Sequence, residues 1–198
     1  MVTIKSKREI ELMKEVCKVV AKVYQELEQK IKVGMSTWEL DQIAENKMRS
    51  LGAIPAEKGY NIGIKGVPPF PASLCVSIND EVIHGIPSKN RIIKDGDVVS
   101  IDTVALKNGY NGDAARTFIV GKASKEAENL VAVTKQAFFE GIKYAKPGNR
   151  LRRYMPCYWR ICTFTRIFCC KRISRSWYWK RNARRPRNSK LWKSRKRN

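Results

Sequence analysis

Two carboxylates and one imidazole carry most of the chemistry legible in this chain. Asp102 lies inside the apolar run Val98 to Leu106, between Ile101 and Thr103, and Asp113 opens the next strand-like run. Between them stands Asn108-Gly109, a dipeptide suited to a two-residue hairpin turn. If the turn forms there, Lys107 pairs with Tyr110 and Val104 with Asp113. Asp102 is two positions from Val104, so both carboxylates share one face as diagonal neighbours. Two carboxylates converging on a mostly apolar sheet cannot both stay charged without compensation. A divalent cation supplies it, and carboxylate oxygens suit hard or borderline metals. The spacing alone is equally compatible with a solvated Asp102 on an open face and Asp113 as an ordinary turn residue.

His84 is the only histidine in the chain, in the segment Ser77 to Ser88. It follows a short apolar run and precedes Gly-Ile-Pro, which places it on a loop at a strand end. Such a position suits a proton-handling or substrate-binding imidazole, the plain alternative being a surface histidine. The stretch from Tyr60 to Cys75 has Tyr60, Phe70 and Cys75 near its ends. These could line a pocket for an apolar side chain or merely cap the core.

The elements that would position these groups follow from periodicity. Residues 6 to about 30 predict an amphipathic helix, capped by Ser6, with Ile10, Met13, Val16, Val20, Val23, Tyr24 and Leu27 on one face. Ser36 and Glu39 form a capping box for a second helix, whose stripe is Leu40, Ile43, Ala44, Met48 and Leu51, stopped at Gly52. Residues 53 to 72 are rich in Gly and Pro and predict a loop. Strands are expected at 74–78, 98–105 and 114–120, and a third helix from Ser124 to about Ala145, before Pro147-Gly148. The sum is an α+β fold with an antiparallel sheet.

Composition divides the chain. Of 198 residues, 40 are Lys or Arg and 18 are Asp or Glu, a net charge of +22. Residues 152–198 hold 17 of the 40 basic residues and none of the acidic ones, none of the 12 Gly, four of the six Cys and four of the five Trp. The expected organisation is therefore a domain over residues 1–151 and a basic, disordered tail over 152–198. The N-terminus is charged and amphipathic without an apolar signal core, no run is long enough to span a membrane, and Cys17 and Cys75 suggest no disulfide framework. The expected compartment is the reducing cytoplasm.

The order Pro71-Ala-Ser-x-Cys75-x-Ser-x-Asn79-Asp-x-x-x-His84-Gly-Ile-Pro87, then Gly96-Asp-x-Val-x-x-Asp102, then Asn108-Gly-Tyr-x-Gly-Asp113, resembles the bacterial type I methionine aminopeptidases of the pita-bread fold. The resemblance runs from about residue 3 to 151 and covers only the first half of that fold. It implies removal of the initiator Met from nascent polypeptides, possible association with the ribosome, a monomer, and two divalent metal ions (Co, Fe, Mn or Zn). By resemblance Asp102 is a bidentate ligand of one metal, Asp113 bridges both, His84 contacts the scissile peptide, and Tyr60, Phe70 and Cys75 line the Met pocket. The loop that carries Tyr60 is longer here than the family's usual form. The family's other ligands, one His and two Glu, and a second substrate-facing His, come from its second half. Nothing after Leu151 supplies them, because that stretch contains no His and no Glu. The expectation for this chain is weak metal binding and little or no activity.

Residues 152–198 admit three readings. The cysteines at 157, 162, 169 and 170 fit no zinc-ligand spacing. The Arg/Lys content with Trp and Tyr would bind nucleic acid non-specifically and supports the alternative function, a nucleic-acid-binding protein built on a degenerate peptidase half. The third reading is an out-of-frame translation, and the genetic code tests it. Ser176-Trp-Tyr-Trp-Lys180, read from the second nucleotide of a TCA serine codon, permits His-Gly-(Ile/Thr)-Gly. The same shift over Arg181 to Trp192 permits E-M-H-E-D-P-E-I-P-N-Y-G, and over Arg152 to Trp159 permits G-D-I-C-H-A-I-G. All three resemble segments of the family's second half. Trp, Met and Tyr codons leave little freedom, and they fall where the motifs need them. One extra nucleotide after the Leu151 codon accounts for the change.

Overall fold

A computed structural model describes residues 4–61 and 63–149. The chain falls into two compact units, Met1–Val131 and Ala132–Asn198. The boundary expected at Leu151 and the basic tail with its four cysteines lie outside the described residues.

In the first unit, helix α1 (Lys7–Lys30) starts at Ser6. The Ser6 hydroxyl accepts from Glu9 N–H at 3.3 Å, and the Glu9 carboxylate accepts from Ser6 N–H at 2.7 Å. Ser6 is the expected cap, and Glu9, at the same spacing as Glu39 from Ser36, completes a capping box there too. Helix α2 (Thr37–Ser50) begins with the predicted box, Ser36 and Glu39 bonding each other at 3.2 and 2.7 Å. It stops before Gly52, whose φ of 71° is free of strain only without a Cβ.

Four strands form one antiparallel sheet: β1 (Ile54–Pro55), β2 (Cys75–Ile78), β3 (Asp97–Lys107) and β4 (Tyr110–Val120). β4 pairs with β3 along its whole length. β1 and β2 lie end to end on the other edge of β3, with Pro55 opposite Ala105 and Cys75 opposite Asp102. They are two pieces of one edge line, and residues 56–74 leave the sheet between them. Residues 53–72, expected as one loop, thus contribute the short edge strand β1. A two-residue strand containing a proline leaves almost no periodic signal, and the edge is where proline is tolerated.

The odd residues of β3 form the core. Val99, Ile101 and Ala105 are fully buried, together with Val16, Val20, Val23, Tyr24 and Leu27 of α1 and Leu40, Ala44 and Met48 of α2. At about 1.5–3 kcal/mol per buried side chain of this size, the α1 stripe outweighs helix propensity in fixing the helix on the sheet. Gly112 on β4 lets α1 come close, since a Cβ there would stand 3.0 Å from the Val16 carbonyl. Ile10, expected on the buried stripe, is exposed. At that level α1 passes the β3–β4 turn, and polar groups meet there instead: Tyr110 bonds Glu9 and Asn108 bonds Glu15.

Tyr24 is more than a core ring. Its hydroxyl reaches the Ile101 carbonyl on β3 at 2.8 Å and the Ala114 carbonyl on β4 at 2.6 Å. Tyr24→Phe leaves the ring's packing in place and removes this tie. It is expected to lower the unfolding free energy by about 1–2 kcal/mol, read as an earlier midpoint in urea.

Helix α3 (Lys125–Ile142) starts in the first unit. In the second unit, described as far as residue 149, Val133 and Ala137 are buried and the rings of Phe138 and Phe139 meet edge to face, with centroids 5.4 Å apart.

Candidate functional site

The site begins with the hairpin. Asn108 and Gly109 both have positive φ, 52° and 80°, as a twist-matched two-residue turn requires. The turn sets the register: Lys107 faces Tyr110 and Val104 faces Asp113, as the spacing predicted. The Val104 N–H and C=O point away from β4, toward Glu57 and Ala56. Val104 and Asp113 are therefore a non-hydrogen-bonded pair, the kind whose side chains approach most closely. Asp102 lies diagonally across on the same, even-numbered face of β3, opposite the buried Ile101 and Thr103. Asp113 is exposed and Asp102 half-buried. Burial pushes the Asp102 carboxyl above the usual carboxylate range, and the Asp113 charge pushes it the same way. A Thr103 backbone bond and the charge of His84 pull it back.

Cys75 pairs with Asp102 from β2 and is buried on the same face. Its thiol is pushed up to about 12 by burial and then by the charges of Glu57, Asp102 and Asp41. It is protonated at neutral pH and serves as a small apolar wall.

His84 comes to the other side of β2 on a tight return. Asn79 (φ 55°) turns the chain out of the strand, and His84 itself has φ 60°. Gly85 then lies flat on the strand: its carbonyl accepts from Val76 N–H at 2.8 Å, and its N–H donates to the Ser77 hydroxyl at 3.1 Å. A left-handed residue with a Cβ is disfavoured and is found where surrounding structure insists on it, often at functional sites. His84 is exposed.

The excursion 56–74 brings the pocket residues together at its base. Gly59 N–H donates to the Phe70 carbonyl at 2.8 Å, and Phe70 N–H to the Tyr60 carbonyl at 2.9 Å. Tyr60 and Phe70 are thus neighbours, although ten positions apart. Tyr60 is 63% exposed and Phe70 half-buried, so the pair does not form a closed pocket wall among the described residues.

Three further acidic residues, outside the sequence motifs, build the surroundings. Asp41 on α2 is almost wholly buried and accepts from the N–H groups of Ser73 and Leu74 at 2.7 and 2.9 Å. Burial raises its carboxyl despite those two bonds. One turn on, burial opposes charge at Glu45, but Lys58, Arg49 and the Ser73 hydroxyl outweigh it and hold the carboxyl at about 2. The two carboxylates dock the chain immediately before Cys75. Polar residues set one place from Leu40 and Ala44, inside an apolar stripe, were the available signal.

Glu57 is the third. Where the edge line breaks between β1 and β2, its carboxylate takes the place of a strand carbonyl. Its Oε2 accepts from Val104 N–H at 3.0 Å and from the Thr103 hydroxyl at 3.2 Å. Burial, with the charges of Asp102 and Asp113, pushes Glu57 up to about 7 against those two bonds. A carboxyl whose pKa is raised on folding holds a proton that the unfolded chain releases. Its contribution is present below the unfolded value near 4.5 and is lost as pH rises through about 7. The partial exposure of the carboxylate reduces the size of the effect, to the order of 1 kcal/mol. Glu57→Gln is expected to flatten the fall in stability between pH 5 and pH 8, measured by urea unfolding at both.

The donors fit a divalent cation in kind but not in number. Asp102 and Asp113 offer hard oxygen ligands on one face, yet among the described residues no group of three or more His, Cys, Asp or Glu is placed to hold a metal ion. A shallow groove of about 610 Å³ between the end of α1 (Glu28, Ile31) and the end of β4 (Phe118, Val120) contains none of these residues. No helix among the described residues is long and apolar enough to cross a membrane.

The chain is 48% identical over 151 residues to the methionine aminopeptidase of Clostridium acetobutylicum, covering 76% of this chain and 58% of that one. It is 47% identical over 151 residues to methionine aminopeptidase 1 of Bacillus subtilis, with the same two coverages. The crystal structure of methionine aminopeptidase from Thermotoga maritima superposes with a TM-score of 0.74 at 38% identity, over 79% of this chain and 60% of that one. The chain thus spans less than two thirds of the length of these relatives, and its fold is the first part of their pita-bread fold. The model of metallopeptidase family M24 matches residues 11–160, and with this sheet, this hairpin register and these relatives the chain belongs to that family.

Proposed function

We propose that this chain is the N-terminal part of a methionine aminopeptidase, an enzyme that removes the initiator Met from nascent polypeptides. The observation that carries the reading is the common face of Asp102 and Asp113, with His84 close enough to act on the Asp102 charge. In this reading Asp102 would help hold one of two divalent metals (Co, Fe, Mn or Zn), and Asp113 would help hold both. His84 binds the scissile peptide, while Phe70, Cys75 and Tyr60 meet the Met side chain. The metals, when bound, would acidify a water and polarise the carbonyl. The residues of this chain would place the peptide beside them. Two carboxylates hold a cation weakly, and a dinuclear centre needs the remaining His and Glu ligands.

We further propose that residues 152–198 are an out-of-frame translation of the segment that carries those ligands. Resolving the gene's reading frame across the Leu151 codon tests this, and an uninterrupted frame in independent clones would remove the idea. The 198-residue chain is expected to release no measurable Met from a Met-Ala-Ser peptide with Co²⁺ or Mn²⁺. Robust turnover that is lost in Asp102→Asn would mean the missing ligands are dispensable.

A further inference from the structure

His84 sits on a turn that is unfavourable in itself, so something must hold it. Gly85 supplies part of the hold through its two bonds to β2. A Cβ at Gly85 would stand 2.1 Å from the Val76 carbonyl oxygen, which shows how closely the turn lies against the strand. The other part comes from a residue outside the turn. The Arg91 guanidinium donates through Nη1 to the Val76 and Ile86 carbonyls, both at 3.4 Å, and through Nη2 to the Glu81 carboxylate. The same Glu81 oxygen accepts from Ile78 N–H at 3.0 Å. One planar fork therefore grips the chain three residues before His84, two residues after it, and on the strand beneath.

The fork is itself anchored. The Arg91 carbonyl accepts from Thr37 N–H, in the first turn of α2, at 2.9 Å, and Arg91 N–H donates to the Ser88 carbonyl at 3.3 Å. Ile93, two residues on, is fully buried. The backbone that carries the guanidinium thus belongs to the rigid α2 side of the unit, while its donors reach the exposed turn.

We propose that Arg91 is a positioning residue that clamps both flanks of the His84 turn and so holds the imidazole beside the Asp102 face of the sheet. The proposal rests on the reading of His84 as the substrate-facing imidazole. An isolated surface ion pair between Arg91 and Glu81 would contribute little. The grip on two backbone carbonyls as well as a carboxylate is what makes Arg91 specific, and lysine cannot reproduce it, because its single ammonium does not span three acceptors in a plane.

The test uses the whole 198-residue chain. In Arg91→Ala, exchange of the Gly85 and Val76 amides is expected to accelerate about tenfold, while the Ile101 amide in the centre of the sheet keeps its protection. Arg91→Lys is expected to fall between the two. His84 is the only histidine, so its ring signals need no assignment. Their broadening by Mn²⁺ is expected to drop about threefold in Arg91→Ala, as the turn spends part of its time released. Unchanged exchange at Gly85 would overturn the proposal. If Mn²⁺ broadens no signal in the parent protein, the metal reading fails, and amide exchange still decides the role of Arg91. Should Arg91→Ala not fold, Glu81→Ala removes one exposed arm of the clamp and is expected to accelerate Gly85 exchange about threefold.

Discussion

Deleting one nucleotide immediately after the codon for Leu151 is expected to raise Met release from Met-Ala-Ser by at least about a thousandfold over the 198-residue chain. The size of the effect follows from the ligand count. Asp102 and Asp113 are two hard donors on one sheet face, and no third ligand joins them among the described residues. On the proposed frame, segments resembling E-M-H-E and H-G-(I/T)-G would return, and with them the family's second half, from which the remaining His and Glu ligands come. The gain should disappear with Asp102→Asn in the corrected product. A corrected product no more active than the present chain, although folded, would sink the frame proposal. The +22 charge would change as well, since it arises chiefly from the 17 basic residues of 152–198. The basic tail is then a poor guide to a nucleic-acid partner.

Gly85→Ala is expected to destabilise the chain by about 3 kcal/mol and to detach His84 from the site. The added carbon would meet the Val76 carbonyl oxygen at 2.1 Å and its carbon at 2.7 Å. Both are backbone atoms of β2, which cannot rotate aside as a side chain can. Either the Val76–Gly85 hydrogen bond breaks or β2 shifts against β3, and Cys75 moves with it. Gly109→Ala is the useful contrast. Gly109 has φ 80° but open space around it, so alanine there meets conformational strain alone, about 1 kcal/mol. Urea unfolding of the two variants should separate by about 2 kcal/mol, with Gly85→Ala the worse. Equal effects would show that the turn does not lie against β2 as described.

What the sequence disclosed depended on how far apart the partners are. Asn108-Gly109 fixes its own turn, and a two-residue turn dictates the pairing of everything on either side. The Asp102–Asp113 relation could therefore be derived from a local signal. The helix caps at Ser6 and Ser36 were legible for the same reason. Tyr24 was only one member of an apolar stripe, because the carbonyls it ties belong to Ile101 and Ala114, more than seventy residues away. Glu57 looked like a surface residue in a loop, since nothing nearby in sequence reveals that it fills a gap in an edge strand. The pairing of Cys75 with Asp102 was hidden by the excursion that separates β2 from β1. Ile10 was assigned to the core by period alone, which does not say where the sheet beneath a helix ends.

On the proposed function, Asp102, Asp113 and His84 face one cation. The most direct measurement is a Mn²⁺ titration of the 198-residue chain followed through the ring signals of its single histidine. Selective broadening of His84 by Mn²⁺ is expected, removed by Asp102→Asn and by Asp113→Asn. Broadening that is absent, or that survives both substitutions, would contradict it.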